Sequence, residues 1–310
     1  MKFALVFPGQ GSQSVGMLAA YGADAAISDT FSEASDALGQ DLWAMVSDGP
    51  SELLNQTVNT QPAMLVAGVA VYRLWQSQGG PEPALMAGHS LGEYTALVCA
   101  GALNFRDAVK LVRLRAEAMQ SAVPEGVGAM AAVLGLDDEA VRAVCTESAQ
   151  GEVLEAVNFN SPGQVVIAGN KAAVERGCVL AKEKGAKRAI LLPVSVPSHC
   201  ALMKPAAEKL RVAMKSIEVR TPTIAVMHNA DVACHTDPDA IRDALARQLY
   251  SPVRWVETIQ SFSAQGIQLV AECGPGKVLA GLNKRIVEGM PGVAMADAAG
   301  VSDTLAKIKA

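Results

Sequence analysis

Apolar positions in this chain follow two rhythms. Short closed runs read as strands, and longer stretches with three- and four-residue spacing read as helices. The first run, Lys2 to Phe7, ends at Pro8-Gly9, and a second covers residues 84–88. Between them, residues 62–76 place Met64, Leu65, Ala67, Gly68, Val71, Tyr72 and Trp75 at helical spacings, which predicts a helix with a buried face. Further helices are predicted over 91–103 and 105–120. Strand, helices, strand, helix is the cadence of an α/β sheet.

After Pro124-Glu125-Gly126 the order changes. A strand is predicted over 128–135, a helix over 137–148 opened by Asp137 and Asp138, strands over 153–159 and 164–169, a helix over 171–184 and a strand over 187–194. That βαββαβ order is the ferredoxin-like arrangement, a small sheet covered on one face by two helices. From Ser198 the first rhythm returns: a helix over 201–216, a strand over 223–227, helices over 238–249 and 253–264, a strand over 267–272, the turn Gly274-Pro275-Gly276, and a helix to about Ile286. The expected organisation is a large α/β subdomain of residues 1–124 and 195–310 with a small subdomain, 125–194, inserted into it. The cleft between the two is the default place for chemistry.

Composition narrows the function. The 310 residues carry 26 Lys+Arg against 31 Asp+Glu, a net charge of −5, so binding of nucleic acid through a strongly basic surface is not expected. Apolar residues are 50% and charged ones 18%, a globular balance, while aromatics at 4% leave the core to Ala, Val, Leu and Met. The longest apolar run, near Pro62 to Tyr72, falls short of the ~18 residues of a spanning helix, so no membrane partner is expected. Phe3 to Phe7 is too short for a signal-peptide core of about 7–15 residues. Cysteines at 99, 145, 178, 200, 234 and 273 form no C-x-x-C pair. The expectation is a cytoplasmic protein without disulfides or bound metal.

The strongest local signal is Gly88-His89-Ser90-Leu91-Gly92, a G-x-S-x-G pentapeptide between a predicted strand and a predicted helix. A bare pentapeptide is also compatible with a Gly-rich loop and a capping serine. The flanking strand and helix favour a nucleophile elbow, with the Ser90 hydroxyl at a helix start whose free N–H groups stabilise an oxyanion beside Leu91. A serine nucleophile needs a base, and the chain offers His89, His199, His228 and His235. His89 neighbours Ser90, where adjacent side chains diverge, and is expected to pack beside the sheet. His228 ends a predicted strand and His235 lies in a loop. His199 follows Pro193 and Pro197 on the crossover back from the small subdomain, which puts it at the cleft; a structural histidine is the competing reading. No acidic residue announces itself as its partner, so a backbone carbonyl is a candidate to orient the ring.

On a helix over 105–120, at about 100° per residue, Arg115 falls in the middle of the apolar arc. Its guanidinium must either snorkel out or meet an anion, and its planar fork suits a carboxylate. The run 7–13, FPGQGSQ, follows the first strand, but Gly9, Gly11 and Gly16 fit no phosphate-binding glycine spacing. The glycines flanking Gln10 still let its main-chain N–H approach a reacting centre, as a second oxyanion donor.

These residues, in this order, resemble the malonyl-CoA:acyl carrier protein transacylases of bacterial type II fatty acid synthesis. The blocks are FPGQGSQ (7–13), TQPA (60–63), GHSLGEYTALVCAGAL (88–103), VRLRAEAMQ (112–120), NFNSPGQVVIAG (158–169), VPSHCALM (196–203), YSPVRW (250–255) and ECGPGKVL (272–279). The resemblance implies an α/β-hydrolase-like core with a ferredoxin-like insert. It further implies an acylated Ser90, His199 as general base and acid, main-chain N–H groups of Gln10 and Leu91 as the oxyanion hole, and Arg115 gripping the malonyl carboxylate. Gln248 would hold the His199 ring through its main-chain carbonyl, and Gln61 and Asn160 would line the cleft. Malonyl-CoA and acyl carrier protein are the implied partners, and no cofactor is implied, since the coenzyme A thioester is a substrate. A serine thioesterase or carboxylesterase using the same Ser90–His199 pair is the alternative. Lys182, Lys184, Lys187 and Arg188 on the small subdomain offer either a local basic patch for an acidic carrier or a merely solvated face.

Overall fold

The computed structural model describes residues 1–194 and 196–310. The expected subdomain boundary between 194 and 195 falls at Ser195, which lies outside the described residues. Two sheets carry the fold.

The first stretch runs β1 (Phe3–Phe7), α1 (Ala25–Leu38), α2 (Leu42–Asp48), α3 (Ser51–Leu54), α4 (Thr57–Ser77), β2 (Leu85–Gly88), α5 (Gly92–Cys99) and α6 (Phe105–Ala122). The second runs β3 (Gly128–Leu134), α7 (Asp138–Ala149), β4 (Leu154–Ser161), β5 (Gln164–Asn170), α8 (Lys171–Glu183) and β6 (Arg188–Leu191). The third holds α9 (Lys204–Met214), β7 (Val226–Met227), α10 (Pro238–Gln248), α11 (Trp255–Ala264), β8 (Leu269–Glu272), α12 (Val278–Asn283), β9 (Gly292–Ala294) and α13 (Ala298–Lys309).

Strands from the first and third stretches form one parallel sheet, ordered β7-β2-β1-β8-β9. Phe3, Leu5 and Phe7 enter one core and Ala4 and Val6 the other, so β1 is covered on both faces. That double burial is why it reads as an unbroken apolar run rather than an alternation. The middle stretch makes its own antiparallel sheet, ordered β4-β5-β3-β6. Its period-two pattern sorts Ala131, Val133, Val165 and Ile167 onto the face under α7 and α8, and Met130, Val166 and Ala168 onto the other. Asp137 caps α7, accepting from the Ala140 N–H at 2.8 Å. Main-chain bonds tie β4 to the segment between α10 and α11, whose Val253 packs in the core beside Ala4 and Val6: Phe159 N–H donates to Val253 O and Val253 N–H to Val157 O.

Several expected boundaries move, each for a physical reason. Helix α4 starts at Thr57, ahead of Pro62, because its first turn is polar yet buried: Thr60 Oγ1 donates to Leu54 O and Asn59 Nδ2 to Leu53 O. Strand β6 stops at Leu191, since it pairs only with β3 and Pro193 has no N–H to donate. The strand expected over 223–227 keeps only Val226–Met227, because the Thr223 amide is drawn to Ala100 O. The helix expected over 201–216 is a 3-10 turn at 201–203 followed by α9, and helix 91–103 ends at Cys99. Strand β9 and helix α13 were not expected. The spacing of Val301, Thr304 and Ile308 carried the helical signal for α13 all the same.

The tightest packing surrounds the turn after β2. A Cβ on Gly88 would lie 1.8 Å from the Gly92 carbonyl carbon, and one on Gly92 would lie 2.1 Å from Phe7 O. Both glycines let β2, α5 and β1 meet backbone to backbone. Gly92→Ala is expected to cost about 1–3 kcal/mol or more by pushing α5 off β1. A urea midpoint equal to that of the parent protein would refute that close-packing account.

Candidate active site

Three of the parallel strands, β1, β2 and β8, point their carboxyl ends toward one cleft, the usual place for ligands in such sheets. Its volume is about 210 Å³. Gln10, Gln61, Ser90, Leu91, Arg115 and His199 line it from the parallel-sheet side; Met130, Asn160, Val166 and Leu192 line it from the antiparallel side. Seven of the eight residues singled out from sequence thus line one cavity, and Gln248 stands directly behind it.

Ser90 lies in the turn after β2 with φ of +51°, a left-handed conformation uncommon for a residue with a Cβ. The strain is held by hydrogen bonds: Ser90 N–H donates to Asn229 Oδ1 at 2.8 Å, and Ser90 O accepts from Gln248 Nε2 at 2.9 Å. The bend aims Oγ at His199 Nε2, 2.8 Å away. His199 is also left-handed, at φ +67°, with its N–H donating to Leu249 O at 3.0 Å. Its Nδ1 lies 2.8 Å from Gln248 O. A carbonyl only accepts, so Nδ1 carries the proton and Nε2 presents a lone pair to the serine hydroxyl. Burial, and then the nearby Arg115 cation, push the His199 pKa down to about 3, so the imidazole is neutral and basic-ready at any physiological pH.

Arg115 does not snorkel. It is 1% exposed, with Nη1 donating to Gln61 Oε1 at 2.7 Å and Nη2 to Gln248 Oε1 at 3.0 Å and Ser90 Oγ at 3.3 Å. Its guanidinium carbon sits 5.3 Å from the centre of the Tyr94 ring. Among the described residues no carboxylate pairs with it, and Nε has no partner at all. A buried cation bordered by neutral acceptors and open to a cleft can receive an anion.

Gln10 and Leu91 each contribute a backbone N–H with no acceptor among the described residues, so both are available to a developing oxyanion. The two segments are brought together by Gly9, whose Cβ would lie 2.4 Å from His89 O. His89 is not confined to the sheet flank. Its ring packs on Trp255 and its Nε2 meets Asn160 Oδ1 at 2.8 Å, which ties the elbow to the antiparallel sheet. Burial lowers its pKa. The basic cluster Lys182, Lys184, Lys187 and Arg188 is exposed, but away from the cleft. Arg188 pairs with Leu134, at the end of β3 opposite Met130, and Lys184 bridges Glu147 at 2.8 Å.

Sequence reasoning missed Asn229 and Glu93. Asn229 clamps the elbow from both sides, accepting from Ser90 N–H and donating Nδ2 to Gly88 O at 2.8 Å. Nothing in its sequence context marks it. Glu93 was open to detection, being the single charge on the otherwise uncharged α5. Among the described residues no group of three or more His, Cys, Asp or Glu gathers as a metal site.

The family described as acyl transferase domain matches residues 4–302. The malonyl CoA-acyl carrier protein transacylase of Salmonella typhimurium is 60% identical over 98% of this chain and 99% of its own. The crystal structure of an acyl-carrier-protein S-malonyltransferase from Burkholderia pseudomallei superposes with a TM-score of 0.97 at 59% identity, covering 99% of this chain and 100% of its own. A malonyl-transacylase solved in complex with its type II polyketide synthase acyl-carrier protein superposes at 0.98 with 56% identity, over 99% and 100% of the two chains. With agreement of sequence and structure from end to end, this chain belongs to the acyl transferase family, in the group of malonyl CoA-acyl carrier protein transacylases.

Proposed function

We propose that the protein moves malonyl from malonyl-CoA to the phosphopantetheine thiol of an acyl carrier protein through a malonyl ester on Ser90, supplying fatty acid chain elongation. The observation that carries the reading is Arg115, a buried cation without a carboxylate, aimed at the hydroxyl that would attack. Similarity to transacylases over the whole chain and the carrier-bound structure of a relative support it.

In the first half-reaction His199 Nε2 takes the Ser90 proton as Oγ attacks the thioester carbonyl. The amides of Gln10 and Leu91 stabilise the oxyanion, Arg115 holds the distal carboxylate with Gln61 and Asn160 along the cleft, and the Gln248 carbonyl steadies the imidazolium. The imidazolium then returns the proton to the departing coenzyme A sulfur. In the second, the carrier's thiol gives its proton to His199, its sulfur attacks the ester carbonyl, and Ser90 leaves reprotonated. Thioester is exchanged for thioester, so the reaction is nearly isoergic and needs no cofactor. The same pair would serve a thioesterase if water reached the ester; the narrow cleft and the fixed carboxylate receptor favour the thiol.

The strand orders support an α/β-hydrolase-like core with a ferredoxin-like insert, and we assign residues 1–124 and 195–310 to the first and 125–194 to the second. Six unbridged cysteines fit a cytoplasmic setting. Among the described residues no helix is long and apolar enough to cross a membrane.

With malonyl-CoA alone, one equivalent of coenzyme A is expected in a burst, with a malonyl mass gain on the Ser90 peptide; continued release would make the protein a hydrolase. Arg115→Ala is expected to lower malonyl kcat/KM by roughly 10²-fold while acetyl transfer falls less or rises. Equal losses for both acyl groups would show that Arg115 is structural. Because His199 is held near 3, against an ordinary 6.5, kcat/KM for acylation should stay level as pH falls through 6.5, with an acid limb well below it. Arg115→Met removes a cation that disfavours the imidazolium, so with acetyl-CoA it should move that limb upward. A limb at 6.5 in the parent enzyme would contradict the neutral-base assignment.

A further inference from the structure

Behind the Ser90 elbow lies a second buried charge. Glu93, in the first turn of α5, is 0% exposed and has no lysine or arginine on it among the described residues. Its carboxylate accepts from Gln248 Nε2 at 2.8 Å, from the Asn229 amide at 2.9 Å and from His228 Nδ1 at 2.7 Å. A carboxylate out of water costs several kcal/mol unless a charge compensates it, and so does a guanidinium. Arg115 is a buried charge of the opposite sign, and a single side chain separates the two. Gln248 donates through Nε2 to Glu93 and accepts through Oε1 from Arg115. A carboxylate only accepts and a guanidinium only donates, so this amide orientation is the one that satisfies both ends.

We propose that Glu93 is a positioning residue for malonyl transfer: it is the counter-charge of Arg115, acting through the Gln248 side-chain amide. The inference rests on the transfer reading above. A carboxylate directly on Arg115 would occupy the fork that a substrate must use. One amide away, the negative charge compensates the guanidinium and orients it, while its open side stays free for the malonyl carboxylate. The same group steadies the nucleophile. Glu93 holds the Asn229 amide, and the Asn229 side chain holds both Ser90 N–H and Gly88 O. The elbow before α5 and the anion receptor on α6 therefore hang on one carboxylate at the start of α5.

Glu93→Gln keeps the shape and removes the charge; His228 can accept the new amide by changing tautomer, its Nε2 having no partner among the described residues. The readout is the ratio of malonyl to acetyl kcat/KM, which the folded fraction cannot move because both substrates report on the same molecules. The ratio is expected to fall by about tenfold or more, within the coupling range of residues in one hydrogen-bond network. An unchanged ratio with an unchanged malonyl burst would overturn the proposal. A double-mutant cycle on thermal midpoints tests the charge relation separately. In an Arg115→Met background the cost of Glu93→Gln should shrink, and a single variant that fails to fold should be rescued in the double. Additive losses, or a double variant that also fails to fold, would refute the counter-charge. If the parent protein forms no malonyl ester on Ser90, the transfer reading falls while the cycle still decides the counter-charge. If it forms the ester and Glu93→Gln keeps its preference, only the inference about Glu93 falls.

Discussion

A guanidinium removed from water, with no carboxylate touching it, is the constraint around which this molecule is arranged. Such a charge survives only where each neighbour is an acceptor, a ring face or a remote counter-charge. Four elements answer that demand. Helix α4 supplies Gln61, the turn before α5 supplies Ser90 Oγ, α5 supplies the Tyr94 ring, and α10 supplies Gln248. The polar first turn of α4 and the buried glutamine ending α10 are costly as pieces of core. They are understandable as walls of a site.

The proposed nucleophile and its proposed base share one device. Ser90 and His199 both adopt left-handed backbone conformations, and both are held there by contacts from remote segments. Each bend costs stability and gains direction. Without it the hydroxyl would lie along the helix start rather than over the cleft. Gln248 links the pair: its main-chain carbonyl sets the histidine tautomer, while its side chain bonds Ser90 O and Arg115. One residue thereby couples the His199 ring, the Ser90 backbone and the Arg115 guanidinium.

In the proposed reaction the antiparallel sheet contributes no group to proton transfer. It closes the cleft with Met130, Val166 and Leu192, and its Asn160 is tied to His89 beside the nucleophile. Two main-chain hydrogen bonds between β4 and Val253 fix this wall to the parallel sheet. In the proposed reaction, a wall anchored so close to the elbow would keep bulk water from the ester that a thiol must reach first.

Much of this was readable in the chain as written. Strand β1 and the βαββαβ order appear because period and burial are local properties, recorded by neighbours along the sequence. The elbow appears because a strand-to-helix turn this tight demands glycine on both sides. Arg115 appears because a helix face cannot hide a charge from its own periodicity. The partnerships do not appear. Ser90 meets His199 across 109 residues, Gln248 reaches Ser90 across 158 and Asn229 reaches Gly88 across 141; no local pattern encodes such pairings. A histidine beside sheet or cleft, an arginine in water or out of it, and a glutamate exposed or buried read alike along the chain. Only the packed structure chooses between them, because burial and hydrogen-bond partners are set by what arrives from far along the chain.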